Sequence, residues 1–194
     1  MRHLALDVIH EEHQALAAML RSLPMLLAQA RREQVLPDFG VLRAMLFYVD
    51  EFPERLHHTK ESELLFPKLR ERVPALGPVI DRLDRDHEQG EHAIRELEHG
   101  LLAFEVMGEP RRAEFEAAVD RYVRFYLEHM AIEETELLPA AQHALSAADW
   151  ADLDRAFAEN RDPLTGHEPA DEYRPLFSKI VMQAPAPIGL GTAH

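Results

Sequence analysis

The sequence predicts an all-α protein: an antiparallel up-down-up-down four-helix bundle with a C-terminal helical extension. Three observations carry this. Four long segments show helical periodicity, Pro and Gly punctuate short connections between them, and strand-like alternation is absent. The first segment runs from about residue 6 to 31, with the stripe Ile9, His13, Leu16, Leu20, Leu23, Leu27 stepping by four and three. The second opens at Pro37-Asp38, where Asp38 can cap it, and reaches about residue 72. Pro53 has no N–H to donate and should kink or break it locally. The third follows Pro74 and Pro78, and its stripe Ile80, Leu83, His87, Gly90, Ile94, Leu97, Leu101, Phe104 stops at Gly108-Glu109-Pro110. The fourth, about 111 to 143, presents Phe115, Val119, Tyr122, Tyr126, His129, Glu133 and Leu137. Ser146 caps a shorter helix to about 159. Residues 160–194 then hold five of the 13 Pro and three of the 8 Gly. A short helix is expected at about 171–181, with an extended Ala184-Pro185-Ala186-Pro187 stretch after it. The organisation is thus a bundle over 1–145 and a C-terminal helix and tail over 146–194, the tail either packed on the bundle or loose.

Composition narrows the function. A chain of 194 residues suits one domain with an appended segment, burying roughly 70% of its unfolded surface. Thirty-five acidic against 21 basic residues give a net charge of −14, which argues against nucleic acid and anionic membrane surfaces as partners. The absence of Cys removes disulfides, thiolate catalysis and iron–sulfur ligation. No apolar run approaches ~18 residues, so the expected location is cytoplasmic. The unusual feature is 12 His.

Three stripes place a His toward the core: His13, His87 and His129. The second segment adds His57-His58. One such His reads as a hydrogen-bonded core residue, but four imidazoles from four helices are costly to bury together unless hydrogen-bonded or bound to metal. His57 and Glu61, and again His129 and Glu133, stand four residues apart, which stacks each pair on one helical face. Residues 57–67 read HHTKESELLFP and 129–139 read HMAIEETELLP, so Pro follows each His by ten residues. A single such pair reads as a solvated surface pair. Two of them, with two further core imidazoles, make a symmetric set suited to a dinuclear metal site of iron, manganese or zinc.

This pattern resembles the hemerythrin-like (HHE cation-binding) family over roughly residues 5–145. The resemblance rests on Ile9-His10-Glu11-Glu12-His13, on His57 to Glu61 with Leu65-Phe66-Pro67, on Asp86-His87-Glu88-Gln89-Gly90, and on His129 to Glu133 with Leu137-Leu138-Pro139. It implies a non-haem centre of two iron ions with an oxo or hydroxo bridge, held by His13, His57, Glu61, His87, His129 and Glu133. The two Glu would bridge, and an open position would accept O₂, NO, peroxide or water. Oxygen-carrying hemerythrins use two His one turn apart in their third helix, whereas here the residue four after His87 is Glu91. That points away from a reversible O₂ carrier and toward the four-His, two-Glu members, which include NO-responsive iron–sulfur repair proteins and redox sensors. Those repair proteins carry a Cys-containing N-terminal domain, and this chain has no Cys.

Several neighbours stay open as members of the site: His10, His58, Glu91 and Tyr126. For His58, the spacing to Glu61 favours His57 as the donor. His92, His99, His143, His167 and His194 read as surface or tail residues. The expected function is a protein that binds O₂, NO or peroxide at a buried carboxylate-bridged centre, in sensing, scavenging or stress response. The alternatives are a redox enzyme of the same site (catalase-like or cluster repair) and metal storage. The expected partner is a small diatomic ligand or peroxide, with a homodimer or a protein partner left open.

Overall fold

The computed structural model describes residues 3–160, 162–186 and 188–190, and they are helical with no extended strand. Helix α1 spans Leu4–Arg32. Helix α2 is a continuous run over 39–72, opened by Asp38, whose side chain accepts the Val41 N–H. Helix α3 spans Gly77–Met107 with Pro78 in its first turn, and ends at Gly108, whose φ of 74° suits only a residue without Cβ. Helix α4 covers 112–144. Helix α5, Ala147–Phe157, carries a reciprocal cap between Ser146 and Asp149. Helix α6 is Arg174–Gln183.

Pro53 does not break α2. Lacking an N–H for the carbonyl four residues back, it sits in a π-helical stretch, Asp50–His57, closed by the His58 N–H donating to the Pro53 carbonyl. Two shorter π turns, Glu61–Leu65 in α2 and Glu133–Leu137 in α4, occupy equivalent places in the repeated motif. Each is closed by an N–H five residues on, Phe66 to Glu61 and Leu138 to Glu133. Each directly precedes a proline, Pro67 or Pro139, that cannot donate to the ordinary ladder.

The stripes read from the sequence are the buried faces, and they form two apolar clusters. One contains Leu16 to Leu27 of α1, Val41 to Phe52 of α2, Ile94 to Phe104 of α3 and Phe115 to Met130 of α4. The other contains Ala5 to Ile9, Leu65 to Leu69, Ile80 and Leu83, Leu137 to Leu145, and Trp150, Leu153 and Phe157 of α5. In all four long helices the buried His and Glu positions fall where the chain passes from one cluster to the other. Helix α1 packs on α4 and α5, α3 packs on α4 and α2, and α6 packs on α2. Phe177 and Ile180 of α6 enter the first cluster, and the Tyr48 hydroxyl donates to Asp162 at 2.6 Å. No helix among the described residues is long and apolar enough to cross a membrane.

Candidate metal centre

The six residues expected from the sequence meet in the polar layer between the two clusters. His13, His57, Glu61, His87, His129 and Glu133 are all at least nine-tenths buried. Their imidazoles fall into two pairs: the Nε2 atoms of His13 and His57 lie 3.1 Å apart, and those of His87 and His129 lie 3.0 Å apart. The carboxylates reach both pairs. Glu61 directs Oε1 to His57 at 3.2 Å and Oε2 to His87 at 3.6 Å. Glu133 directs Oε2 to His13 at 3.3 Å and Oε1 to His129 at 3.2 Å and His87 at 3.8 Å. Each carboxylate therefore spans the two imidazole pairs, one oxygen to each.

The structure adds His58 to this set. It is 3% exposed, its ring stacks on His87 with centroids 4.2 Å apart, and it groups with Glu61, His87 and His129 as atoms able to hold one ion. The choice between His57 and His58 that i,i+4 spacing suggests does not arise, because both rings face inward. In a regular α-helix adjacent residues point about 100° apart. Here the π-helical stretch that ends at His57 widens the turn and changes the helical phase at that boundary.

Four of the five rings are hydrogen-bonded from behind by their other nitrogen, and the fifth, His129, faces a carboxylate there. The Nδ1 of His57 donates to Glu12 at 2.7 Å, that of His58 to Glu54 at 3.1 Å, and that of His13 to Glu134 at 3.2 Å. His87 Nδ1 lies 2.8 Å from the Ser62 hydroxyl, and His129 Nδ1 faces Asp86 at 3.5 Å. An ionised carboxylate only accepts, so a proton belongs on Nδ1 in the carboxylate-held rings, and loss of any Nε2 proton would leave that nitrogen's lone pair facing the centre, the tautomer a metal ligand needs. Glu12, Ser62, Asp86 and Glu134 stood within the quoted motifs, but as neighbours of the expected ligands and not as their partners. The one overlooked signal was Glu54, four residues before His58 and so on its face.

Glu54 anchors a further network. It also accepts hydroxyl hydrogen bonds from Tyr122, at 2.9 Å, and from Tyr126. The Tyr126 hydroxyl is thus satisfied by Glu54, with its ring parallel to His58 at 5.5 Å. His10 is half exposed beside Glu134, and Glu91 is exposed and paired with Arg95 at 3.3 Å. His92, His99, His143 and His167 are exposed, and His194 lies outside the described residues.

All four carboxylate oxygens of Glu61 and Glu133 are buried without a hydrogen-bond partner. Burying such a carboxylate without a partner costs several kcal/mol unless a cation meets it. Protonated imidazoles answer part of that charge. Burial pushes the His129 ring down, but Glu133 and Asp86 more than reverse this and raise it to about 10. Burial likewise opposes protonation of His57, yet Glu61 and Glu12 carry it well above its ordinary value. Burial would raise Glu133, but His129 and His13 hold it well below the usual carboxylate range. Burial, then the neighbouring Glu133, pushes Glu61 up. His58 and His87 are driven well below the ordinary value by burial and by adjacent imidazoles, which outweigh the nearby carboxylates. The donor set of imidazoles and unpaired carboxylates fits a borderline divalent or trivalent cation.

The family model for the hemerythrin HHE cation-binding domain matches residues 4–141. The chain belongs to the hemerythrin HHE cation-binding family. The matched span ends inside α4 and contains all seven inward-facing His and Glu residues. Among curated proteins, this HHE chain is similar to uncharacterized proteins of Mycobacterium tuberculosis and Mycobacterium bovis. Each is 25% identical over 111 residues, covering 57% of this chain and 43% of the relative. The chain therefore spans less than half the length of the curated relatives it matches. The family membership and the buried His/Glu cluster together make this a metal-binding domain.

Proposed function

We propose that this HHE domain holds two iron ions and binds O₂, NO or peroxide there, in sensing, scavenging or a stress response. The ions would be held by His13 and His57 on one side, by His58, His87 and His129 on the other, and by Glu61 and Glu133 across both. The observation that carries the reading is the pair of carboxylates whose four oxygens are buried, lack a hydrogen-bond partner and are divided between two imidazole groups. Such an iron pair supplies reversible binding or reduction of small oxygen and nitrogen species.

The residues distribute the donors unevenly. The His13/His57 side offers two imidazoles and two carboxylate oxygens, while the other side adds a third imidazole, from His58. An ion on the first side would therefore keep more positions for an outside ligand. The narrow cleft beside it is lined by Leu16, Phe52, Pro53 and Leu56 together with Glu12, Asn160 and Asp162, a mixed wall with room only for a small ligand. The fifth imidazole, absent from α3 where Glu91 stands, comes from α2 instead. The antiparallel up-down-up-down arrangement belongs to the same proposal. It is supported by the alternating order in which α1 to α4 run between the two apolar clusters. A redox enzyme is the second reading. It draws on Tyr126, an oxidisable ring stacked near His58.

Metal analysis with an optical spectrum tests the proposal. About two irons per chain with near-ultraviolet bridge bands are expected, and the diferrous protein should develop new charge-transfer bands with O₂ or NO. A spectrum indifferent to both gases refutes the binding role. Peroxide turnover above the free-iron level, lost in Glu133→Ala, would establish the enzyme reading instead.

A further inference from the structure

The segment that follows α5 lies outside the residues matched by the family model, yet it reaches the back of the metal-facing cluster. Asn160 is 5% exposed, and its amide nitrogen donates to both oxygens of Glu12, at 2.9 and 3.0 Å. One of those oxygens accepts the His57 Nδ1–H at 2.7 Å. The Asn160 carbonyl oxygen is itself taken by Lys60, whose ammonium also donates to the Ala156 carbonyl at 2.8 Å. Phe157 presents its ring edge to His57 with centroids 6.2 Å apart, and Asp162 is fixed by Tyr48.

We infer that Asn160 is a positioning residue for His57, acting through Glu12, so that seating of the segment after α5 and filling of the His13/His57 half of the centre are one linked equilibrium. Glu12 projects from α1 on a flexible side chain whose carboxylate is held by hydrogen bonds from His57 and Asn160. It lines the same cleft as His13 and His57, and release by Asn160 would free its carboxylate to draw away from His57. His57 would then lose the acceptor that keeps its Nε2 lone pair aimed at the ion. Linkage is reciprocal: whatever ordering of Asn160 adds to metal affinity, metal binding returns as tighter seating of Asn160. This device gives the chain a route from ion occupancy to a surface segment, and it rests on the metal-binding reading above.

The test is a Zn²⁺ titration of the full chain against a competing chelator, chosen because Zn²⁺ is redox-inert and resolves affinity without turnover. Asn160→Ala should weaken one of the two Zn²⁺ sites about tenfold, the low end of the 10- to 100-fold loss typical when a ligand's outer partner is removed, and leave the other unchanged. In a Glu12→Ala background the same substitution should add nothing, because the path runs through Glu12. In the wild-type protein, Zn²⁺ should slow amide exchange at Ala158, Glu159 and Asn160. The inference is overturned if Asn160→Ala leaves both sites intact, if its cost persists undiminished without Glu12, or if wild-type exchange at those amides ignores Zn²⁺. A wild-type chain that takes up no Zn²⁺ or iron at all removes the metal-binding reading itself, a distinguishable failure.

Discussion

Gly90→Ala sets two physical effects against each other, and the structure decides between them. Gly90 lies inside α3, where replacing Gly by Ala ordinarily stabilises by about 1 kcal/mol. A Cβ built there, however, falls on the Tyr126 hydroxyl, 2.7 Å from the ring carbon that bears it and 3.0 Å from Glu54 Oε1. The ring has no room to retreat, being 1% exposed and packed between Tyr122, Phe125 and His58. Overpacking a buried site costs about 1–3 kcal/mol. Displacing the phenol leaves the buried Glu54 oxygen short of a donor, at a cost of about 1–3 kcal/mol. The net expectation is a loss of about 2–4 kcal/mol, or roughly 5–15 °C in Tm for a chain of this size. Thermal unfolding followed by circular dichroism on chelator-treated protein measures it. The loss should shrink in a Tyr126→Phe background, where the clashing oxygen is gone. A Gly90→Ala protein as stable as wild type, or more so, would refute the packing argument and with it the Glu54–Tyr126 anchor behind His58.

Other outcomes follow from the same geometry. Saturating iron(II) under anaerobic conditions should raise Tm: at 100 times Kd each ion contributes about 2.7 kcal/mol, and an unchanged melting curve would contradict metal binding at the cluster. The pH dependence of the chelator-treated protein has a defined sign. His129 titrates at about 10 in the fold against an ordinary 6.5, so its contribution is complete below 6.5 and is lost as pH rises toward 10. Tm should therefore fall over that window, while metal affinity should rise across it because bound ions displace those protons. A Tm that climbs from pH 6.5 to 10 would invalidate the assignment. Phe177→Ala removes a ring packed edge-on to Tyr48 and Phe52, and should cost about 3–5 kcal/mol by equilibrium denaturation; a loss under 1 kcal/mol would mean that α6 does not hold to α2.

Periodicity alone placed His13, His87, His129 and Glu133 on buried faces, because a residue's side of a regular helix follows from its number and the 3.6-residue turn. The i,i+4 spacing did the same for Glu61 against His57. Asp38, Ser146 and Gly108 announced helix ends through backbone chemistry that is local by nature. What periodicity could not reach was the phase of α2 after Pro53. The π-helical stretch rotates everything beyond it, and that turned the adjacent His57 and His58 into two inward-facing rings instead of one. Partners drawn from distant segments, such as Glu54 for Tyr126 or Asn160 for Glu12, were likewise settled only when the helices packed. The sequence by itself therefore determined which residues would be buried and what chemistry they carry. The tertiary structure decided which of them meet, because hydrogen-bond partners separated by 72 or 148 positions are set by packing distance and not by any repeat along the chain.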